Sequence, residues 1–192
     1  MLSDEILKNH PNITYIDASN NPKIINVDNL KNSKILNCSN SCGIEDENIK
    51  NFDCGYDSQI VDNNIKNLDL IELYANGNKN IKNISHMKNL KILYCTGDCS
   101  ISDNNILILD LVELIAYDNN KIKNINHMKN LKKLDCSYSC KIDDNYIKNI
   151  SHMKNLKRLV CCGYSAITDN DIKNLNLDYL CSFGNMNITN KN

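Results

Sequence analysis

Histidines and cysteines are the side chains of this sequence that could hold a metal or act as a general base. Three histidines each precede Met-Lys-Asn-Leu, and three cysteine pairs have the spacing Cys-x-x-x-Cys. The histidines are His86, His127 and His152, and the pairs are Cys38/Cys42, Cys95/Cys99 and Cys136/Cys140. Imidazole and thiolate suit Zn²⁺, but a structural zinc site needs about four converging ligands. Because each group recurs together with the sequence around it, we interpret these residues as repeat positions and predict no metal and no cofactor.

No catalytic constellation stands out from the rest of the sequence. The six glycines are isolated from one another, so they form no phosphate-binding loop. No nucleophile with a neighbouring base, and no pair of carboxylates, departs from the repeating pattern. We therefore predict that the protein is not an enzyme, has no catalytic residue and takes no small-molecule substrate.

The repeating unit is marked by the triplet Ile-x-[Asp/Asn], which occurs nine times at intervals of about twenty residues. The triplets begin at Ile24, Ile44, Ile60, Ile81, Ile101, Ile122, Ile142, Ile167 and Ile188. A small residue stands six positions before each isoleucine: Ala18, Cys38, Cys54, Ala75, Cys95, Ala116, Cys136, Cys161 and Ser182. A period of roughly 20–29 residues over a whole chain is typical of a solenoid.

Counting back from the small residue gives Leu-x-x-Leu-x-[Ala/Cys], as in Leu70-Ile71-Glu72-Leu73-Tyr74-Ala75. With a polar residue three positions later, this unit resembles the leucine-rich repeat, and the similarity covers residues 13–190. Residues 78–90 are similar to the short repeats of bacterial internalins, and residues 166–172 resemble the cysteine-containing repeats found behind F-boxes. The texture, rich in Asn and Lys, resembles leucine-rich-repeat proteins encoded by amoeba-infecting giant DNA viruses. The resemblance implies an α/β solenoid of about nine coils with a parallel concave β-sheet.

Within one coil, the alternation Leu-x-[Ala/Cys] predicts a short strand. The isoleucine of the triplet should then turn inward, and the Asp or Asn two residues later suits a turn or the N-cap of a short helical segment. The polar residue three positions after the small one, such as Asn78, Asp98 or Tyr164, should form the turn.

Two coils depart from the common length. The step from Cys38 to Cys54 has 16 residues, so either the coil is truncated or Cys54 is not a strand-end position. The step from Cys136 to Cys161 has 25 residues and should bulge outward with a real helical turn. Residues 1–12 should form a capping helix, with Ser3 as its N-cap and Pro11 at its end, ahead of a solenoid over residues 13–192.

Composition predicts a folded chain. A net charge of −1 gives no strong attraction to nucleic acid or to an anionic membrane surface. The sequence has no apolar run of roughly 18 residues that could span a membrane. Its start, Met1–Glu5, lacks the basic and apolar regions of a secretory signal. We therefore expect a cytoplasmic location (the host cytoplasm for a viral protein), where the ten cysteines stay reduced and the five at the small position serve as compact buried hydrophobes.

The concave strand face is the candidate binding surface, because residues that flank the inward Leu must point away from the core. An apolar, aromatic centre should form from Tyr74, Tyr94, Ile92 and Ile115. Acidic residues should edge it at Asp53, Glu72, Glu113 and Asp135, and a basic zone should follow at Lys132, Lys133, Lys157 and Arg158. Exposed aromatics beside charges are typical of an interface core and its rim, so we predict a protein partner there.

Two other functions stay open at this point. Resemblance to the F-box-linked repeats implies a substrate-recognition arm of a ubiquitin-ligase adaptor. The segment Leu2–Leu7 resembles the opening of an F-box, although the repeats begin by Ile13 and leave no room for a complete one. A structural or virion-associated role is the third hypothesis.

Overall fold

One parallel sheet organises the chain. The computed structural model describes residues 3–21, 23–24, 35–37, 49–56, 58, 60–138, 147 and 149–189. Within these residues nine strands pair each with the next along the chain, all parallel. They are β1 (Tyr15–Asp17), β2 (Ile35–Asn37), β3 (Asn51–Asp53), β4 (Glu72–Tyr74), β5 (Ile92–Tyr94), β6 (Glu113–Ile115), β7 (Lys133–Asp135), β8 (Arg158–Val160) and β9 (Tyr179–Cys181). This confirms the predicted α/β solenoid with its parallel sheet.

Short helical segments connect the strands of several coils. The described helices are α1 (Asp4–Lys8), α2 (Asp62–Ile65), α3 (Asp103–Ile106) and α4 (Asp169–Ile172), and a 3-10 helix spans Ile150–His152. The 3-10 helix lies in the coil with the 25-residue step, where a helical turn was expected. Residues 139–146 of that coil lie outside the described residues, so the predicted bulge stays a prediction.

The core is a column built from equivalent positions of successive coils. The middle residue of each strand from β1 to β8 points inward and is at most 2% exposed, as Leu73, Leu93 and Leu114 show. The small residue after the strand is buried at Ala18, Cys54, Ala75, Cys95, Ala116, Cys136 and Cys161, whereas Ser182 after β9 is half-buried. The buried triplet positions that the structure describes are Ile24, Ile60, Ile81, Ile101, Ile122, Ile167 and Ile188. The inward prediction is therefore confirmed for these, whereas Cys38, Ile44 and Ile142 lie outside the described residues.

Cys54 is a true strand-end position. It directly follows β3, whose residues pair in register with both β2 and β4, and it is completely buried. Of the two explanations for the 16-residue step, the misplaced Cys54 is excluded, and the short coil remains.

Asparagine side chains join one coil to the next. The Asn78 amide donates to the carbonyls of Cys54 at 2.8 Å and Ile60 at 3.4 Å, both in the preceding coil. Its oxygen accepts from the backbone N–H groups of Asn80 and Ile81 in its own coil. Asn119 repeats the pattern one pair of coils later, with Cys95 and Ile101 as acceptors. Each of these buried amides therefore forms hydrogen bonds with backbone groups that lie outside the strands.

The residue at the predicted turn position is buried in these asparagine coils, whereas Asp98, which also lies in a turn, is exposed. Asp98 and Tyr164 stand at the same spacing but are exposed: the Asp98 side chain reaches out to Lys79, and Tyr164 is 79% exposed. The inward polar or small residue comes one position later, at Ser58, Cys99 and Ser165. A hydroxyl or thiol is shorter than an amide, so it reaches the core-facing turn from this later position.

Of the two roles predicted for the triplet aspartates, the N-cap is wrong where a helix follows. Helix α2 begins at Asp62, so its N-cap is Val61, whose N–H donates to the Asn64 side chain at 3.0 Å. The Asp62 carboxylate instead accepts from the N–H groups of Lys82 and Asn83 in the next coil, at 2.7 and 2.9 Å. The Asp103 carboxylate accepts in the same way from the N–H groups of Lys123 and Asn124 in the coil that follows it. These carboxylates tie the convex side of one coil to its neighbour.

The first helix covers the start of the core column. Leu7 of α1 is 1% exposed and belongs to the same apolar cluster as the strand residues. Ser3 is the N-cap by position, but its hydroxyl makes no capping hydrogen bond, which corrects the expected chemistry. The helix ends at Lys8, three residues before Pro11.

A truncation in the column should be costly. Ile101 is completely buried, whereas Ile108, seven residues later, is 59% exposed. Ile101→Ala should lower the free energy of unfolding by about 2–5 kcal/mol, because it leaves a cavity between coils. Ile108→Ala is the matched control and should change it by less than about 0.5 kcal/mol. Urea denaturation followed by circular dichroism measures both, and equal effects would contradict the inward register.

The asparagine link gives a second prediction. Asn119→Ala leaves the carbonyls of Cys95 and Ile101 without their amide donor, and an unsatisfied buried group costs about 1–3 kcal/mol. The neighbouring Asn120 is exposed, so Asn120→Ala should be close to neutral. Thermal or denaturant unfolding of the two variants, side by side, makes the comparison. An Asn119→Ala protein as stable as the parent would show that the bridge contributes nothing.

Candidate functional site

Two stacked tyrosines lie at the centre of the concave face. Tyr74 of β4 and Tyr94 of β5 are Cα partners in the parallel register, and their ring centroids are 4.7 Å apart at an interplanar angle of 42°. Parallel strands lie about 4.7–4.9 Å apart, so the register alone brings the rings into contact. The predicted neighbours Ile92 and Ile115 are half-buried beside them on β5 and β6. The structure thus brings together the apolar, aromatic centre that the sequence predicted.

Each tyrosine hydroxyl donates to a carboxylate. Tyr74 Oη lies 2.8 Å from Glu72 Oε2 within the same strand, and Tyr94 Oη lies 2.6 Å from Glu113 Oε1 on the next strand. These bonds fix both rings in one orientation. Two hydrogen bonds and one ring contact therefore position the tyrosine pair.

Glu113 differs from what the sequence predicted. It was expected at the exposed edge of the face, but it is only 8% exposed. Its second oxygen, Oε2, lies 2.9 Å from Lys133 Nζ on β7, so the carboxylate is held between a hydroxyl and an ammonium group. A carboxylate this buried needs such partners, because burial of an unpaired charge is costly. Glu113 and Lys133 therefore form an ion pair with each other. Lys133 is not an unpaired cation of the predicted basic zone.

The tyrosine hydroxyls hold their protons strongly. Burial, then the hydrogen bond to Glu72, raises the pKa of Tyr74 to about 12. Burial and the hydrogen bond to Glu113 raise the pKa of Tyr94 further still. Ionisation of either hydroxyl would place a second negative charge beside a carboxylate, so both stay neutral donors near neutral pH.

Arg158 carries the positive charge at the C-terminal end of the face. Its guanidinium carbon lies 3.8 Å from the ring centroid of Tyr179 on β9, a cation–π contact between neighbouring strands. Lys157, by contrast, donates to the carbonyl of Asn176. Asp135 accepts from the backbone N–H of Ser137, so it shapes the turn after β7. Of the predicted basic zone, Arg158 and Lys132 are exposed and form no ion pair with another described residue.

A concavity of about 200 Å³ lies at the N-terminal end of the face. Carboxylates, amides and rings line it, with the buried Phe52 as its floor: Tyr15, Asn37, Asn51, Phe52, Asp53, Glu72 and Tyr74. Asp53 and Glu72 were predicted members of the acidic edge. Tyr15 has the same strand position as Glu72 and was not predicted to bind. The repeat register, which aligns the first residue of every strand, was the signal that could have found it.

Further tyrosines lie where the strands end, and the sequence analysis missed them. Tyr117 and Tyr138 form an edge-to-face pair with centroids 6.0 Å apart. Tyr138 has a φ of 52°, and its ring lies against Gly163, which occupies the same turn position in the next coil with φ +68°. Tyr56 lies against Gly77 in the same way. In both pairs the glycine has no Cβ atom that would clash with the tyrosine ring.

The recurring histidines form hydrogen bonds with backbone carbonyl groups. Nε2 of His86 lies 3.1 Å from the carbonyl oxygen of Ile65, and Nε2 of His127 lies 3.0 Å from that of Ile106. Both carbonyls end a short helix of the preceding coil. His152 contacts the carbonyl of Asn149 in its own coil. Among the described residues no three potential ligands converge as a metal site would require.

The buried cysteines behave as small hydrophobes. Cys95, Cys136 and Cys161 are at most 2% exposed, and burial raises the pKa of each thiol, that of Cys161 to about 12. Both members of the Cys95/Cys99 pair are buried at repeat positions, as the sequence predicted. Cys42 and Cys140 lie outside the described residues, so the other two pairs are not described.

Comparison with known proteins bears on the fold. The crystal structure of an internalin from Listeria monocytogenes superimposes with a TM-score of 0.54 at 22% sequence identity. The fold is a leucine-rich-repeat solenoid. The alignment covers 96% of this chain and 51% of the internalin, so the chain spans about half the length of that protein. No family model matches the sequence, and no curated protein matches it. In the part of the chain that the structure describes, none of the helices of this leucine-rich-repeat solenoid is long and apolar enough to cross a membrane.

The two held tyrosines should be visible in an alkaline titration. Their hydroxyls should ionise only around pH 12 or above, against about 10 for an unperturbed tyrosine. Because the folded-state pKa is raised, their contribution to stability is full below pH about 10 and is lost as pH rises towards 12. Absorbance of tyrosinate, recorded for the parent, Tyr74→Phe and Tyr94→Phe, should show each variant losing one late-titrating group. Loss of a group that titrates near pH 10 would contradict the hydrogen-bonded geometry.

Proposed function

We propose that the protein is a binding module that recognises a protein partner through the concave face of its leucine-rich-repeat solenoid. One observation carries the proposal: Tyr74 and Tyr94 are stacked, half-buried and hydrogen-bonded at the centre of that face. Rigid aromatic side chains are the residues that dominate binding energy in protein interfaces. The solenoid fold is consistent with protein binding in general, and the concave face and its partner are our inference.

Preorganisation supports this assignment. Fixing a free side chain at an interface costs about 0.5–1.5 kcal/mol, and two rings that are already fixed avoid that cost. Their exposed edges still offer apolar area to a partner. The flanking Ile92 and Ile115 extend that area on the next two strands.

Charge divides the face into two ends. Strands β1 to β4 present Asp17, Asp53 and Glu72 and contribute no Lys or Arg. The concavity between Tyr15 and Tyr74 combines two carboxylates with two rings, a setting that suits a Lys or Arg side chain of the partner. Arg158 at the opposite end suits an acidic group. The partner segment should therefore carry basic and acidic ends around an apolar centre, and these charges would set its orientation and association rate.

Aromatic truncation tests the centre of the face. Tyr74→Ala and Tyr94→Ala should each weaken partner binding by about 1–3 kcal/mol, the effect of removing an interface aromatic. Isothermal titration with an isolated partner measures it. Because Tyr94→Ala also removes a bond to the buried Glu113, Tyr74→Ala is the cleaner variant, and an unfolding curve should accompany both.

Charge variants complete the test. Arg158→Glu should act mainly on the association rate, with a larger effect at low salt. Lys133→Glu is unsuitable, since it would set a carboxylate against Glu113. Lys82→Glu and Lys123→Glu reverse exposed charges on the convex side and should leave binding unchanged. If these convex variants abolish binding while the Tyr74 variant does not, the concave-face proposal is wrong.

A further inference from the structure

Cys162 and Cys181 differ from every other described cysteine, because their sulfur atoms touch. The two Sγ atoms are 3.1 Å apart, and the Cys162 thiol also lies 3.6 Å from the carbonyl oxygen of Cys181. Cys162 directly follows the buried small position after β8, and Cys181 is the last residue of β9. No sequence spacing singled them out, since 19 residues separate them and neither belongs to a Cys-x-x-x-Cys pair.

The backbone on both sides holds the two thiols together. The N–H of Cys161 donates to the carbonyl of Cys181 at 2.8 Å, and the N–H of Gly163 donates to that of Phe183 at 2.8 Å. The N–H of Cys162 donates to Ser137 Oγ at 3.0 Å, which anchors it to the preceding coil as well. The sulfur contact therefore lies just past the end of β8, where backbone hydrogen bonds continue between the two chain segments. A shift of roughly 1 Å would bring the sulfurs to bonding distance, about 2.05 Å.

We propose that Cys162 and Cys181 form a redox modification site, at which hydrogen peroxide or a related small peroxide converts the thiol pair into a reversible intramolecular disulfide. This site goes beyond the proposed binding function and does not depend on it. Its position at the end of the concave sheet means that the bond would lock β9, the last described strand, to β8.

Cys181 is the sulfur that should react first. It is partly exposed on the concave side, whereas Cys162 is 8% exposed. The hydrogen bond from the Cys162 thiol, followed by that from the Phe183 backbone, lowers the pKa of Cys181, while burial raises the pKa of Cys162. A thiolate is the nucleophilic form of cysteine, so Cys181 is the better nucleophile and Cys162 the resolving thiol.

The chemistry balances in two steps. The Cys181 thiolate attacks one peroxide oxygen and breaks the O–O bond, and this gives a sulfenic acid and, with one proton, water. Cys162 Sγ then attacks Cys181 Sγ, the S–O bond breaks, and the departing hydroxide takes the Cys162 proton to form a second water. The two sulfurs lose two electrons in all, and the peroxide gains them. A dithiol reductant reverses the bond by thiol–disulfide exchange.

Peptide mapping by mass spectrometry tests the site on the purified full chain. After reduction, removal of the reductant and treatment with hydrogen peroxide, the expected product is a peptide pair joined through Cys162 and Cys181. It should weigh two hydrogen atoms less than the two free peptides and separate again on treatment with dithiothreitol. Joining of Cys161, Cys136 or another cysteine as the main product would overturn the proposal.

Single variants supply a readout that does not depend on the disulfide. In Cys162→Ser, Cys181 has no resolving thiol and should accumulate as a sulfenic acid that dimedone labels. In Cys181→Ser, neither the cross-link nor the dimedone adduct should form at Cys162. The matched control is Cys161→Ala, because Ala75 and Ala116 stand at the same repeat position in other coils. In this variant the cross-link between Cys162 and Cys181 should still form. In the native parent protein, Cys181 should react with peroxide at least about tenfold faster than the buried Cys95, and equal rates would contradict the assignment.

Discussion

The structure depends on one constraint, which is that no coil can satisfy its own backbone or bury its own core. Each three-residue strand finds its hydrogen-bond partners only in the coils before and after it. The asparagine at the turn repeats this dependence, since the Asn78 amide reaches back to Cys54 while its oxygen serves its own coil. Asp62 adds a link on the convex side, to the coil that follows. Stability in such a stack is shared between neighbours rather than held by any one unit.

The same constraint sets the chemistry of the concave face. A common parallel register places equivalent residues of successive coils about 4.8 Å apart, so each side chain meets its counterparts one coil away. This spacing places Tyr74 against Tyr94 and Arg158 against Tyr179, which are register partners. The thiol of Cys162 meets that of Cys181 diagonally, because the register partner of Cys181 is Val160. The face is therefore a ladder of nearest-neighbour contacts. Its side chains are held in place by each other, which is what a preformed binding surface requires.

Periodicity allowed much of this to be predicted from the sequence. The strand positions, the inward leucines and the triplet isoleucines follow from spacing within one coil, and the centre at Tyr74 and Tyr94 follows from the shared strand position. What failed has a common cause, because it depends on contacts between coils about twenty residues apart. Asp62 was expected to cap its own helix, since the sequence does not show that the N–H groups of Lys82 and Asn83 lie closer. Glu113 was placed at an exposed edge, since its burial depends on Tyr94 and Lys133 in the coils on either side.

The position after the small residue shows a second limit. A polar residue was expected in the turn at one fixed spacing, but in coils with a short polar side chain the buried residue stands one position later, as Ser165 does beside Tyr164. The length of the polar side chain decides which of the two turn positions is buried. A pattern that records only whether a residue is polar or apolar does not contain that length. The tyrosines on the turns, such as Tyr138 against Gly163, were missed for a related reason: their pairing with a glycine is visible only across two coils.

Hydroxyl-radical footprinting of the protein with and without an isolated partner tests the concave-face account most directly. Each face offers reporters, whose oxidation is compared with and without partner: the rings of Tyr74 and Tyr94 on the concave side, and Leu107 and Ile108 on the convex side, which are 60% and 59% exposed. The account predicts that partner binding lowers oxidation of Tyr74 and Tyr94 and leaves Leu107 and Ile108 unchanged. Protection of Leu107 and Ile108, with unchanged oxidation of the two tyrosines, would contradict it.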